Sequence, residues 1–260
     1  MRLDKYLTEA AVGRRKEVIG LIKKGEVCVN GTVIFEPSFL VDESGDEISF
    51  QNEIVTHSGR EYYMFHKPAG CISARSDDNH KTVFAYLEEI HNNGLFPVGR
   101  LDKDTEGLLF ITNDGDFNHN LMFPQKAVEK TYFFWALGTL GEKEIALFEQ
   151  GISLGVDEKI TKPANLEVIS TGGYHTFKDE IESLRVTEKK GTGRDVLVVS
   201  GKVTVVEGRK HQVKRMLKAV GCYVIYLKRI SVGGVFLDET LKKGEVRKLT
   251  EEEVALLMQK

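Results

Sequence analysis

Between residues 3 and 11 the apolar side chains Leu3, Tyr6, Leu7, Ala10 and Ala11 recur at the spacing of one helix face, and Gly13 supplies a stop. The pattern restarts over Arg14 to Lys24 with Val18, Leu21 and Ile22, and Gly25 closes it. It changes at EVCVNGTVI, where two apolar runs flank Asn30-Gly31, a dipeptide suited to the positive φ angles of a type I′ hairpin turn. Two helices and a hairpin of this length make a compact unit.

A polar stretch, QNEIVTHSGRE, leads to the strand pattern YYMFHKPAG, in which Pro68 and Gly70 impose a turn. The domain boundary is expected near residue 59, dividing the chain into 1–58 and 59–260. Beyond it LLFIT and YFFWALG read as strands, and KTVFAYLEEI and HQVKRMLKAV as helices. Regular strand-helix alternation is missing, which predicts an α+β rather than a doubly wound domain. EGRKHQVKRMLK is expected to pass from a strand ending near Glu207 to a helix starting around Arg209. DVLVVSGKVTVV reads as a strand pair turning about Ser200-Gly201, and GTGRD near residue 193 as an exposed loop tip. No internal repeat or low-complexity tract is evident.

With 260 residues, 41% of them hydrophobic, the chain can bury a substantial core. Its net charge of -3 lacks the basic excess typical of a nucleic-acid binder, so any such surface must be local. The charge is in fact segregated. Arg2, Lys5, Arg14, Arg15, Lys16, Lys23 and Lys24 outnumber Asp4, Glu9 and Glu17, whereas Asp42, Glu43, Asp46, Glu47 and Glu53 make the next segment acidic. A solvated helix face is the simplest reading of such a cluster taken alone. No apolar run suits a membrane span or signal core, which predicts a cytoplasmic protein. Cys28, Cys71 and Cys222 have neither disulfide nor zinc-site spacing and are expected as buried free thiols.

The densest chemistry lies in FPVGRLDKDTEGLLFITNDGDF, where Gly99 and Gly107 bracket a charged loop held between apolar flanks. Asp102, Asp104, Asp114 and Asp116 are all candidates, and spacing alone does not separate a catalytic carboxylate from solvated turn residues. Asp114-Gly115 reads easily as a turn. The order of ligands in a calcium-binding loop is missing, and no metal site is expected.

GRLDKDTEGLLFITNDG resembles the signature of the RsuA-type pseudouridine synthases, and HKPAG, EKTYFFWALG and EGRKHQVKRMLKAVGCYVIYLKRISVGGVF follow the same family in order. RLDKYL and GRRKEVIGLIKKGEVCVNG resemble the S4 RNA-binding module. The resemblance covers most of the chain. It implies an S4-like domain followed by a catalytic domain on a mixed, largely antiparallel sheet with flanking helices.

The resemblance places the nucleophilic aspartate at Asp102, an active-site tyrosine at Tyr132 and a basic partner at Lys214. The implied reaction cleaves uracil N1 from ribose and rejoins the ribose through C5, with no cofactor. An enclosed carboxylate needs a nearby cation to stay ionised, the part expected of Lys214. A tyrosine can stack on the base and offer a hydroxyl for proton transfer. The target nucleotide must leave its stack, at a cost of a few kcal/mol. Arg14, Arg15 and Lys16 are expected to meet RNA phosphates, Arg100 and Lys103 to hold the extruded backbone, and Arg209 and Arg215 to line an RNA groove. For His66, Lys67, His211 and Gln212, substrate contact and local backbone support both stay open.

TKPANLEVI, EGRKHQVKRM and DDNHKTVFAYL point to the small-subunit ribosomal RNA branch, with large-subunit RNA as the alternative. The expected partner is ribosomal RNA or an assembling ribosomal particle, and the expected state a monomer. Residues 171–202 are longer than the family pattern and are expected to be a peripheral elaboration. Intact Asp102, Tyr132 and Lys214 argue against a non-catalytic RNA-binding assembly factor. A nucleotide hydrolase would need the absent GxxxxGK[ST], and a glycosidase a second carboxylate at a separation that Asp104 does not establish.

Overall fold

The computed structural model describes residues 1–56, 59–87, 90, 94–184 and 196–259. Helices α1 (Leu3–Glu9) and α2 (Arg15–Lys23) pack on a four-stranded sheet of β1 (Val27–Val29), β2 (Thr32–Val33), β3 (Ile48–Phe50) and β4 (Glu53–Ile54). Leu3, Tyr6, Leu7, Val18 and Ile22, on the helix faces read from spacing, join Val27, Val29, Val41 and Ile48 in one core. Asn30 and Gly31 turn the β1–β2 hairpin at φ 50° and 75°. Gly25 closes α2 at φ 76° as expected. Helix α1 ends sooner than expected, because Ala11 takes the left-handed conformation at φ 64° and Gly13 does not.

The remaining strands are β5 (Tyr62–Lys67), β6 (Phe96–Pro97), β7 (Glu106–Thr112), β8 (Lys130–Leu137), β9 (Asn165–Gly173), β10 (Leu197–Val205), β11 (Tyr223–Val232), β12 (Val235–Phe236) and β13 (Val246–Lys248). They form a nine-stranded sheet in the order β13-β5-β7-β11-β8-β10-β9, with β6 on β7 and β12 on β11. Its helices are α3 (Gly115–Met122), α4 (Glu142–Gln150), α5 (Lys178–Ser183), α6 (Gln212–Ala219) and α7 (Glu251–Met258). Among the described pairs within this sheet, β7–β11 alone is parallel, so the fold is α+β on a mixed, largely antiparallel sheet.

Alternate residues of each strand point to opposite faces. On β7, Leu108 and Phe110 join Met64 and Phe117 on one face, while Leu109 and Ile111 join Tyr63 and Phe65 on the other. Register then aligns one row across five strands. Lys67 pairs with Gly107, Gly107 with Arg229, Arg229 with Tyr132, and Tyr132 with Val203. Gly107 is required there: its φ is +106°, and a Cβ would lie 2.2 Å from the Arg229 carbonyl oxygen.

Other elements depart from the sequence reading. Ser200-Gly201 is not a turn: β10 runs straight through it, burying Val198, Val199, Val203 and Val205, because that apolar surface is covered on both faces of the sheet. Gly201 instead marks a shift of register against β9, where a Cβ would meet the Glu167 carbonyl oxygen at 2.3 Å. Among the described residues of KTVFAYLEEI a single 3₁₀ turn forms, at Val83–Tyr86. β10 ends at Val205 and α6 begins at Gln212, each a few residues from expectation, because His211 turns the chain at φ 53°. GTGRD lies outside the described residues, as do residues 57 and 58 at the expected domain boundary. Cys71 and Cys222 are buried free thiols, whereas Cys28 is only half-buried.

Candidate active site

The loop between β6 and β7 is held by backbone contacts. Gly99 enters it at φ 68°. The Ser73 hydroxyl accepts from Leu101 N and donates to Leu101 O, both at 3.0 Å. Below it Lys67, fully buried, donates to the carbonyl oxygens of Pro68, Asp102 and Thr105 at 3.1, 3.0 and 2.9 Å. Burial lowers the pKa of this ammonium, and the converging carbonyls satisfy its donors. Gly70 N donates to Lys103 O at 2.7 Å, so the HKPAG turn and the acidic loop are one unit. Lys67 is thus a backbone support, as is Gln212, which bonds Arg209 N and the Glu207 carboxylate at 2.9 Å each. His66 sits on the opposite face of the sheet, its Nδ1 2.6 Å from Leu241 O.

The loop presents Asp102 to a cavity of about 590 Å³ whose lining includes Arg100, Lys130, Tyr132, His211 and Arg229. Lys214 projects from α6 and brings Nζ to 3.0 Å from Asp102 Oδ2, while His211 Nε2 stands 3.5 Å from Oδ1. Tyr132 packs at the junction of two cores, one around Leu109 and Leu101 and one around Phe134 and Leu227. Asp102, Tyr132 and Lys214 meet around one adjoining recess.

The other carboxylates have different work. Asp104 is exposed and shares Lys214, at 2.5 Å. Asp114 is buried and caps α3, accepting from Asp116 N at 2.8 Å and Phe117 N at 3.2 Å. It also accepts from the Tyr62 hydroxyl at 2.8 Å, and burial together with this carboxylate pushes Tyr62 up to about 12. Asp116 pairs with Lys5 of α1 at 2.6 Å, across to the small domain. Among the described residues no group of three or more His, Cys, Asp or Glu side chains could hold a metal ion.

The expected RNA contacts divide in two. Arg14, Arg15 and Lys16 lie exposed at the start of α2, Arg15 also pairing with buried Asp4 at 3.3 Å, and Arg100 and Lys103 lie exposed on either side of Asp102. Arg209 and Arg215 are instead engaged within the protein. Arg209 donates to the carbonyl oxygens of Lys159 and Ile160 and pairs with Glu207. Arg215 pairs with Glu158 at 2.5 Å and donates to Leu154 O at 2.9 Å. Both therefore clamp the loop of residues 154–160 beside α6.

Two cavity residues escape the sequence reading. Arg229 is 2% exposed and donates from Nε to Leu108 O at 2.8 Å. Lys130 donates to Leu121 O and Val128 O, and burial, reinforced by the Arg229 charge, lowers it to about 8. The available signal is a charge inside an apolar strand run, in YVIYLKRISV and KTYFFWAL.

Residues 61–219 match the family model described as RNA pseudouridylate synthase, and residues 1–48 match the S4 domain. The chain belongs to the RNA pseudouridylate synthase family. It is 39% identical over 255 residues to a protein of Vibrio cholerae serotype O1 named ribosomal small subunit pseudouridine synthase A, covering 98% of both chains. An uncharacterised RNA pseudouridine synthase of Bacillus subtilis (strain 168) is also 39% identical, with 99% of this chain and 98% of the relative covered. A pseudouridylate synthase of known crystal structure, 32% identical, aligns over 99% of both chains with a TM-score of 0.65. The pseudouridine synthase fold, the S4 domain and enzymatic membership of this family follow together. No described helix is long and apolar enough to cross a membrane.

Proposed function

We propose that this enzyme isomerises a specific uridine of small-subunit ribosomal RNA to pseudouridine, with Asp102 as its catalytic carboxylate, Lys214 as the cation paired with it, and Tyr132 against the base. The observation that carries the reading is the 3.0 Å Asp102–Lys214 pair in the recess that Tyr132 also lines. The relatives named for the small subunit support the choice of RNA.

In this reaction the N1–C1′ bond breaks, uracil turns, and a C5–C1′ bond forms; C5 loses a proton and N1 gains one. Atoms and electrons balance within the substrate and a proton exchange. The extruded nucleotide enters the cavity above Asp102, and Arg100 and Lys103 hold its phosphates. Arg14, Arg15 and Lys16 grip RNA away from the target. Arg209 and Arg215 act indirectly, by shaping the groove. Residues 1–58 and 59–260 are the working domains, and the enzyme acts as a cytoplasmic monomer on the RNA or an assembling particle.

Pseudouridine mapping across all ribosomal RNA tests this in cells carrying the wild type, Asp102→Asn, or no copy. One small-subunit position should lose its modification in both deficient strains. A change confined to large-subunit RNA, or no change, would overturn the assignment.

A further inference from the structure

Helix α3 ends in an exposed aromatic pair to which the proposed reaction gives no task, His119 in its last turn and Phe123 just beyond it. The rings of His119 and Phe123 stack with centroids 4.5 Å apart and planes 27° apart. Both side chains face solvent, with Phe123 40% exposed. An i,i+4 pair on a helix stabilises that helix slightly wherever it occurs, so stacking alone signifies little. Its position signifies more. Phe123 lines the cavity that holds Asp102 and Tyr132. His119 lines a second cavity, of about 370 Å³, whose far wall includes Arg2, Lys5 and Arg15 of the small domain. The end of α3 is therefore the common rim of two clefts, one holding the reacting carboxylate and the other faced by the exposed guanidinium groups of Arg2 and Arg15.

The electrostatics of the rim suit an anionic strand. Arg100 stands on the catalytic side, and Lys126 is exposed just past Phe123. Two carboxylates line the second cleft: Asp116 pairs with Lys5 at 2.6 Å and buried Glu9 lies 3.8 Å from the same ammonium, while Arg2 and Arg15 share buried Asp4 and keep much of their side chains exposed. An exposed aromatic platform in a cationic groove is how proteins hold unpaired nucleotides, because every base has a face that can stack while cations follow the backbone.

We propose that His119 and Phe123 form a stacking platform for an unpaired nucleobase flanking the target uridine, on the strand running from the catalytic cavity to the cationic face of the S4 domain. This rests on the RNA-modifying reading above. It adds a base-binding site outside the reaction centre.

The test uses the full-length protein and small-subunit ribosomal RNA transcribed in vitro, with and without 5-iodouridine in place of uridine. Phe123→Ala should weaken binding about tenfold or more, and Phe123→Trp should preserve it. The salt dependence should not change, because no phosphate contact is lost. Irradiation of the iodinated complex should cross-link RNA to Phe123 or His119. Binding within twofold of wild type together with no cross-link to either ring would overturn the platform, as would a loss of affinity seen only with protein-containing subunit particles. Binding needs no turnover: if Phe123-dependent binding holds while the wild type forms no pseudouridine, the platform stands and the proposed activity falls.

Discussion

Lys214 Nζ lies 3.0 Å from Asp102 Oδ2 and 2.5 Å from Asp104 Oδ1, so one ammonium serves two carboxylates of the same loop. The two are unequal: Asp104 is 69% exposed, where water screens the pair, and Asp102 is 27% exposed beside the cavity. Lys214→Met should therefore lower kcat about 100-fold with little change in KM, since in the proposed reaction the ammonium acts on the reacting group and not on RNA binding. Asp104→Asn should leave kcat within about threefold. Single-turnover assays on a small-subunit transcript would measure both, and a Lys214→Met enzyme of normal rate would remove this lysine from the mechanism.

The exposed charges at the start of α2 have a different signature. Replacing Arg14, Arg15 and Lys16 together by Gln should flatten the dependence of log Kd on log salt by about 2, since each phosphate contact contributes about 0.7 for single strands and 0.9 for duplex. Turnover at saturating RNA should be preserved. Titrations at several salt concentrations would show an unaltered slope if these side chains do not touch RNA.

Lys130 makes stability depend on pH. An open chain keeps this proton up to about 10.5, whereas the folded protein releases it near 8. Between those values the unfolded state binds more protons, so folding gains as pH rises through the window, and below it the cost of burying the ammonium is present in full. The span corresponds to about 3 kcal/mol. Urea unfolding at pH 7 and pH 10 should show wild type gaining on Lys130→Met by an amount approaching this value. Parallel pH profiles for the two proteins would contradict it.

Gly107→Ala should destabilise by about 3 kcal/mol or more, because a methyl at φ +106° meets the Arg229 backbone, which cannot step aside without breaking the β7–β11 pairing. Gly115→Ala, whose methyl would enter open space, is the control and should lie within about 0.5 kcal/mol of wild type. Equal urea midpoints for the two variants would show that the row of side chains across the sheet tolerates displacement.

The small domain was readable from sequence because its elements are local: helix spacing and an Asn-Gly turn set the positions of Leu3, Tyr6, Val18 and Ile22 without distant contacts. The long sheet was less so. Where β10 is buried on both faces, over residues 198–201, it shows no alternation, and the glycine within that run looks like a turn until its neighbours are known. Local spacing could not rank Asp102, Asp104, Asp114 and Asp116; tertiary contacts give one a cavity, one a shared lysine, one a helix cap and one a link between domains. Arg209 and Arg215 looked like RNA ligands because composition shows charge but not the carbonyls and carboxylates that engage it. Lys130 and Arg229 carry only the signal of a charge in an apolar strand run, each beside another charge, Glu129 or Lys228, and that pattern does not tell a buried cation from an exposed one.

The parallel junction of β7 and β11 also bears on when the enzyme becomes competent during its own synthesis. Asp102 and Lys214 are 112 positions apart, and Arg229 reaches back 121 positions to Leu108. Closing contacts of such sequence separation is slow, since chain entropy is lost before the contacts reward it. A nascent chain that has released the Asp102 loop but not α6 and β11 lacks the lysine on the helix, the buried arginine and the strand that seats it. The protein reaches catalytic competence only after most of its polypeptide has left the ribosome.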